Sequence, residues 1–221
     1  MTALAKKESA VYNQSNFIFR GNSFVTAAVP KGGEPALLST KLIMPRPRRD
    51  YIVRRALFEE LKRCSELSVV FVKGAAGMGK TTLLSSFLVE TGLKNTAWLS
   101  LDEGNNGLFS FWRYFAAAAG SLVGETIEFG PAPGPIFELR EPKSGLVFLI
   151  NRLCGNTDYY IVLDDFHCIT DPALIDSLEF FLQSMPENLH LFLLSREDPP
   201  VYLGALAVSG RLLYLSDEDM K

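Results

Sequence analysis

Five short apolar runs punctuate the chain, each closing on polar or charged residues. They are Val69-Val70-Phe71-Val72, Ala97-Trp98-Leu99, Tyr159-Tyr160-Ile161-Val162-Leu163, Leu189-His190-Leu191-Phe192-Leu193-Leu194 and Leu212-Leu213-Tyr214-Leu215. Unbroken apolar runs of this length, rather than alternating ones, are the pattern of strands buried on both faces. Between them apolar residues recur every three or four positions. Leu83, Leu84, Phe87 and Leu88 form one stripe, and Leu108, Phe111, Trp112 and Phe115 a second. Leu146, Leu149, Ile150 and Leu153 form a third, and Leu174, Ile175, Leu178, Phe181 and Leu182 a fourth. Each stripe predicts a helix with one face against a core. A shorter helix carries Leu57, Phe58 and Leu61 ahead of the first strand, and another follows Pro199-Pro200. Asp171-Pro172 reads as an N-cap with proline at the first helical position. Strands alternating with helices predict an α/β fold: a three-layer sandwich around a five-stranded parallel sheet. The strands are expected at about 68–73, 96–101, 158–164, 189–195 and 211–216.

The interruptions divide the chain further. Residues 1–36 hold no sustained periodicity and read as a poorly ordered N-terminal tail, leaving 37–221 as the folded domain. Phe129-Gly130-Pro131-Ala132-Pro133-Gly134-Pro135 excludes regular structure and is expected as a surface loop. The segment Lys41 to Arg49 is basic and broken by proline, hence extended. Arg46, Arg48, Arg49, Arg54 and Arg55 leave three readings open: a nucleic-acid contact, a solvated basic linker, or a strap over a bound ligand with one arginine near its negative charge.

Composition narrows the class. A 48% hydrophobic content with 21% charged residues suits a soluble globular domain, and a net charge of −3 gives no global attraction to nucleic acid. Three cysteines without a C-x-x-C pair point to reduced thiols. No signal-peptide pattern and no bilayer-length apolar run occurs, so a cytoplasmic location without membrane contact is expected.

The chemistry concentrates where strands end. After the first strand come Gly74-Ala75-Ala76-Gly77-Met78-Gly79-Lys80-Thr81-Thr82, which satisfy the spacing G-x-x-x-x-G-K-[ST] between a strand and a helix. The glycines let backbone N–H groups approach phosphate oxygens, and the helix start adds positive potential. Lys80 is expected on the β- and γ-phosphates and the Thr81 hydroxyl on Mg²⁺. The bland alternative is a glycine-rich turn whose lysine points to water.

The third strand closes on Asp164-Asp165, the Walker B pattern. Asp164 is expected to hold Mg²⁺, and Asp165 to orient or deprotonate a water aimed at the γ-phosphate. His167 is open between phosphate sensing and capping its loop, while His190 is expected to be structural. Ser195-Arg196 ends the fourth strand. Arg196 is either a γ-phosphate sensor or the partner of Glu197 or Asp198. Asp102-Glu103 ends the second strand, where ligands bind in open α/β sheets. A site role is favoured for Asp102, and a solvated carboxylate has at least equal weight for Glu103.

Together these pieces resemble the ATPase domain of MalT-like regulators, LuxR-type activators of the STAND class of P-loop NTPases. The residues carrying the resemblance are Leu38-Ser39-Thr40-Lys41-Leu42, Pro45-Arg46-Pro47-Arg48, Gly74–Thr82 and Trp98-Leu99-Ser100-Leu101-Asp102. Phe111-Trp112-Arg113-Tyr114, Leu163-Asp164-Asp165-Phe166-His167, Leu194-Ser195-Arg196 and Asp198-Pro199-Pro200 complete the set. The resemblance implies an ATP-driven switch: ADP held in the silent state, ATP binding with self-association on induction, and weak hydrolysis as the reset. It also implies Lys80 and Thr81 for phosphate and Mg²⁺, Asp164 for Mg²⁺, Asp165 as catalytic base and Arg196 as sensor. The basic segment, through Arg48 and Arg54, would then enclose the nucleotide. Met78 departs from the aromatic usual at its position. The winged-helix, sensor and helix-turn-helix parts of such regulators do not occur in this sequence, so no specific DNA binding is expected of it. From the strand order of related ATPases, the strand ending at Arg196 is expected between the Walker A and Walker B strands. Two other readings stand beside the switch. A small-molecule kinase would need an arginine-rich lid, and Gly120–Glu141 contains only Arg140. A nucleotide-binding module with negligible turnover is the third reading, behind the switch and the kinase, whereas a GTPase is disfavoured because this sequence holds no N-K-x-D base reader.

Overall fold

The computed structural model describes residues 36–47, 51–127 and 142–220. The expected tail and the glycine-proline loop at 129–135 lie outside them. Five strands form one parallel sheet: β1 (Val69–Lys73), β2 (Thr96–Ser100), β3 (Tyr159–Asp164), β4 (Leu189–Ser195) and β5 (Leu212–Leu215). Their order across the sheet is β2-β3-β4-β1-β5, with all four pairings parallel. As expected, β4 separates the Walker A strand from the Walker B strand.

Alternate residues of each strand enter opposite cores. Val69 and Phe71 of β1 face one side, together with Leu99, Ile161, Leu163, Leu191 and Leu193. Helices α1 through α6 are Arg55–Leu61, Lys80–Thr91, Leu108–Val123, Pro142–Leu153, Pro172–Ser184 and Gly204–Val208; on that side α3, α4 and α5 supply Trp112, Phe115, Leu149 and Phe181, and α6 adds Leu206. Trp112 is wholly enclosed, and its indole N–H donates to the Ser177 hydroxyl at 2.9 Å, so its one polar atom is satisfied in the core. Val70, Val72, Trp98, Val162 and Phe192 face the other side, where α1 and α2 pack with Leu61, Leu84 and Phe87. The result is the expected three-layer sandwich.

Local chemistry sets the helix starts. Asp171 caps α5 by accepting the Leu174 N–H at 2.8 Å, with Pro172 in the first helical position. By contrast, α2 begins at Lys80 on Gly79 with no side-chain cap, which leaves its first amides for something else.

Two long-range ties bind the 3-10 turn Ser39–Leu42 to the sheet. Lys41 Nζ donates to Asp102 Oδ1 and Asn105 Oδ1, each at 2.6 Å, and lies over the Tyr114 ring at 5.1 Å from its centroid. The Tyr114 hydroxyl in turn accepts the Leu38 N–H at 2.9 Å. Asp102 therefore serves the architecture: it also accepts the Gly104 N–H and caps the short turn that follows β2. No helix of the described residues is long and apolar enough to cross a membrane.

Candidate nucleotide-binding site

In a parallel sheet the carboxyl ends of all strands point the same way, so the loops after β1, β3 and β4 meet at one edge. The peptide joins are tight. The Gly74 N–H donates to the Ser195 carbonyl at 3.1 Å, stitching the start of the P-loop to the end of β4.

The P-loop takes the shape its glycines allow. Gly77 and Gly79 have φ of 82° and 86°, the left-handed region where a side chain would be strained. Ala75, Ala76 and Gly77 form the exposed crest, Gly74 is buried, and Met78 half-buried. Met78 packs against the core shared by α1 and α2, and its sulfur lies 3.2 Å from the Ala75 N–H. Thr82 follows on α2, its carbonyl accepting the Ser85 hydroxyl at 3.3 Å.

Lys80 is only 7% exposed, and its ammonium donates to the carbonyls of Gly74 and Ala75. Burial pulls its pKa below the ordinary lysine value, opposed by Asp165 and Asp164. An ammonium held over the loop by carbonyls is ready to exchange them for phosphate oxygens. The bland alternative of a lysine pointing to water is thereby excluded.

One residue further along α2, the Thr81 hydroxyl lies 3.1 and 3.0 Å from the two carboxylate oxygens of Asp164. Asp164 is 5% exposed, and burial, reinforced by the neighbouring charge of Asp165, pushes its pKa up to about 6 despite the Thr81 hydrogen bond. A buried carboxylate beside a hydroxyl is a hard-oxygen donor pair that suits Mg²⁺. Among the described residues no group of three His, Cys, Asp or Glu side chains is arranged to hold a metal unaided. A cation here would therefore complete its shell with water and phosphate, as Mg²⁺ in nucleotide sites does.

Asp165 adopts φ 58°, ψ 41°, a costly conformation for a residue with a side chain. Its carboxylate lies near the residue that follows β4. There Arg196 Nη2 stands 3.6 Å from Asp165 Oδ1, and His167 Nδ1 3.8 Å on another side. Arg196 thus faces the expected catalytic base rather than Glu197 or Asp198. His190 sits at the opposite end of the sheet, buried, with Nδ1 2.6 Å from the Leu67 carbonyl, and is structural as expected.

The two expected nucleotide-enclosing arginines fare differently. Arg48 lies outside the described residues. Arg54 precedes α1 and places Nη1 3.7 Å from the Met220 sulfur, not on the P-loop. One contact had no sequence signal: Asp217, after β5, accepts the Ala75 N–H at 3.0 Å across 142 positions of chain.

Comparison with known proteins agrees with this geometry. The chain is 31% identical over 185 residues to the HTH-type transcriptional regulator MalT of Klebsiella pneumoniae subsp. pneumoniae, and equally to that of Klebsiella pneumoniae strain 342. These alignments cover 83% of the chain but only 20% of each relative, so the chain spans about a fifth of their length. A chain in the structure of Drosophila ORC bound to DNA superposes with a TM-score of 0.50 at 14% identity, covering 73% of this chain and 87% of that one, which supports the fold alone. No family model matches. On its sheet order, its motif positions and the MalT alignment, the chain is a MalT-like P-loop NTPase domain.

Proposed function

We propose that this domain binds ATP with Mg²⁺ and hydrolyses it slowly, as the switch of a signal-responsive transcriptional regulator. The observation that carries the reading is the convergence of the Thr81 hydroxyl on the buried Asp164 carboxylate, next to a P-loop whose carbonyls hold the Lys80 ammonium. A P-loop fold that bound no phosphate would gain nothing from burying an acid with so little compensation.

Each residue has a task in that chemistry. The free amides at the start of α2, with the Lys80 ammonium, hold the β- and γ-phosphates. Thr81 and Asp164 hold Mg²⁺, which supplies charge neutralisation when bound. Asp165, beside Arg196, accepts a proton from a water placed for attack. Arg196 leaves Asp165 for the γ-phosphate when ATP is present, and so distinguishes ATP from ADP. Arg48 closes over the nucleotide, and Arg54 joins it on leaving the Met220 sulfur. ATP would favour self-association and ADP the silent state, as the resemblance to MalT-like regulators implies. Specific DNA recognition belongs to parts of such a regulator other than this domain, and the site of action is the cytoplasm.

Titration calorimetry with ATP, ADP and GTP, with phosphate release followed in parallel, tests the proposal. ATP and ADP are expected to bind, GTP to bind more weakly, and phosphate to appear slowly and only with Mg²⁺. Absence of adenine-nucleotide binding, or a preference for GTP, would overturn it. ATP binding without release would leave the non-hydrolysing module.

A further inference from the structure

Asp198 lies two residues beyond Arg196 and touches none of the P-loop. Its carboxylate nevertheless takes two hydrogen bonds from other strands: Oδ2 from Lys73 Nζ at 2.8 Å, and Oδ1 from the Tyr214 hydroxyl at 2.7 Å. Lys73 is the last residue of β1, immediately before Gly74. Tyr214 lies on β5, its ring stacked on the buried ring of Phe71 at 5.2 Å between centroids. One carboxylate therefore ties the loop after β4 to the strands on its far side, and Lys73 and Tyr214 hold it ionised below the usual carboxylate range.

The near end of the same loop is fixed differently. Ser195 is fully buried; its hydroxyl donates to the Glu197 carbonyl at 2.7 Å and accepts the Glu197 N–H at 3.1 Å. Beyond Asp198, Pro199 and Pro200 restrict the backbone further. Arg196 stands between these two fixed points, half-exposed, with its guanidinium toward Asp165.

We propose that Asp198, held by Lys73 and Tyr214, is a positioning residue for Arg196, setting the loop so that the guanidinium reaches both Asp165 and the γ-phosphate of ATP. The inference rests on the sensor reading of Arg196 and adds the group that makes the sensor's geometry reproducible. Asp198 is largely exposed, at 73% of its side chain, so its ion pair contributes little to global stability. Its effect is on where one loop sits.

The test compares Asp198→Ala, Tyr214→Phe, Arg196→Ala and the pair Asp198→Ala/Arg196→Ala. Two quantities are read: ATP and ADP affinities, and the mobility of the Arg196 guanidinium by ¹⁵N NMR of its Nε, assigned with Arg196→Lys. Asp198→Ala is expected to lower the ATP-over-ADP preference about tenfold, and Tyr214→Phe about threefold, with ADP affinity and thermal midpoint nearly unchanged. The double variant is expected to match Arg196→Ala, because two changes acting through one group do not add. The Arg196 signal of nucleotide-free Asp198→Ala is expected to gain mobility. Additive losses, a parallel fall in ADP affinity, or an Arg196 signal as ordered as in the parent would each overturn the proposal. If Arg196→Ala keeps the parent's preference, the sensor reading fails, while increased Arg196 mobility in Asp198→Ala still supports the positioning. The two failures are therefore separable.

Discussion

Asp102 follows β2 and Asp164 ends β3, one strand over, and each has a lysine in its neighbourhood, yet the two surroundings differ in kind. Asp102 is exposed, ion-paired to Lys41 at 2.6 Å, bonded by the Gly104 N–H, and held below the usual carboxylate range chiefly by the Lys41 hydrogen bond. Asp164 is buried, bonded by the Thr81 hydroxyl and the Asp165 N–H, and pushed up to about 6 by that burial. Lys41 spends its ammonium on Asp102 and Asn105, whereas Lys80 spends its own on backbone carbonyls. A satisfied pair is architecture. An acid and a lysine buried side by side without being joined are a site waiting for a ligand that carries both a cation and an anion.

The contrast breaks down unless the two regions respond oppositely to substitution. The largest effect is expected at Asp165→Asn, which should keep nucleotide affinity and lose about a hundredfold or more in turnover, measured as phosphate release. Retained turnover would move the catalytic base elsewhere. Next, Lys80→Ala should cost about a hundredfold in ATP affinity by calorimetry while the fold persists. Lys41→Ala should instead leave affinity intact and lower the thermal midpoint.

A third difference concerns pH. Asp164 is raised from its ordinary 3.8 to about 6, so its folded environment favours the protonated form. Its contribution to the stability of the nucleotide-free chain is greatest below pH 4 and is lost as pH rises through 6. Asp164→Asn removes that loss and should be more stable than the parent at pH 7, by about 3 kcal/mol, as measured by denaturation between pH 4 and 8. The smallest effect is expected at Asp102→Asn. Its exposed pair should cost only a few tenths of a kcal/mol, with nucleotide affinity unchanged.

Much of the sheet was legible because burial on both faces leaves unbroken apolar runs. All five strands lie within a residue or so of where those runs place them. The P-loop and Asp164-Asp165 were legible because their chemistry is local in sequence, with spacing dictated by a single turn. The fate of Asp102 was not legible. Its partner Lys41 is 61 positions away in a segment whose own pattern says only that it is basic and extended. Nor were the Asp217 contact with Ala75 or the Asp198 links to Lys73 and Tyr214. Each joins polar groups, one of them a backbone N–H, from segments that only the sheet order brings together, and no periodicity marks such a pair. Arg54 shows the reverse. The resemblance implies a nucleotide contact, whereas in the nucleotide-free structure its guanidinium lies 3.7 Å from the Met220 sulfur.

ATP affinity of the parent and of Asp164→Asn, each titrated with Mg²⁺ and again with a chelator, tests the central claim most directly. The parent is expected to lose about tenfold or more of its affinity when Mg²⁺ is removed, and Asp164→Asn to bind ATP weakly and equally in both conditions. Equal sensitivity to Mg²⁺ in the two proteins would mean that the Thr81–Asp164 pair is not where the cation and the triphosphate meet.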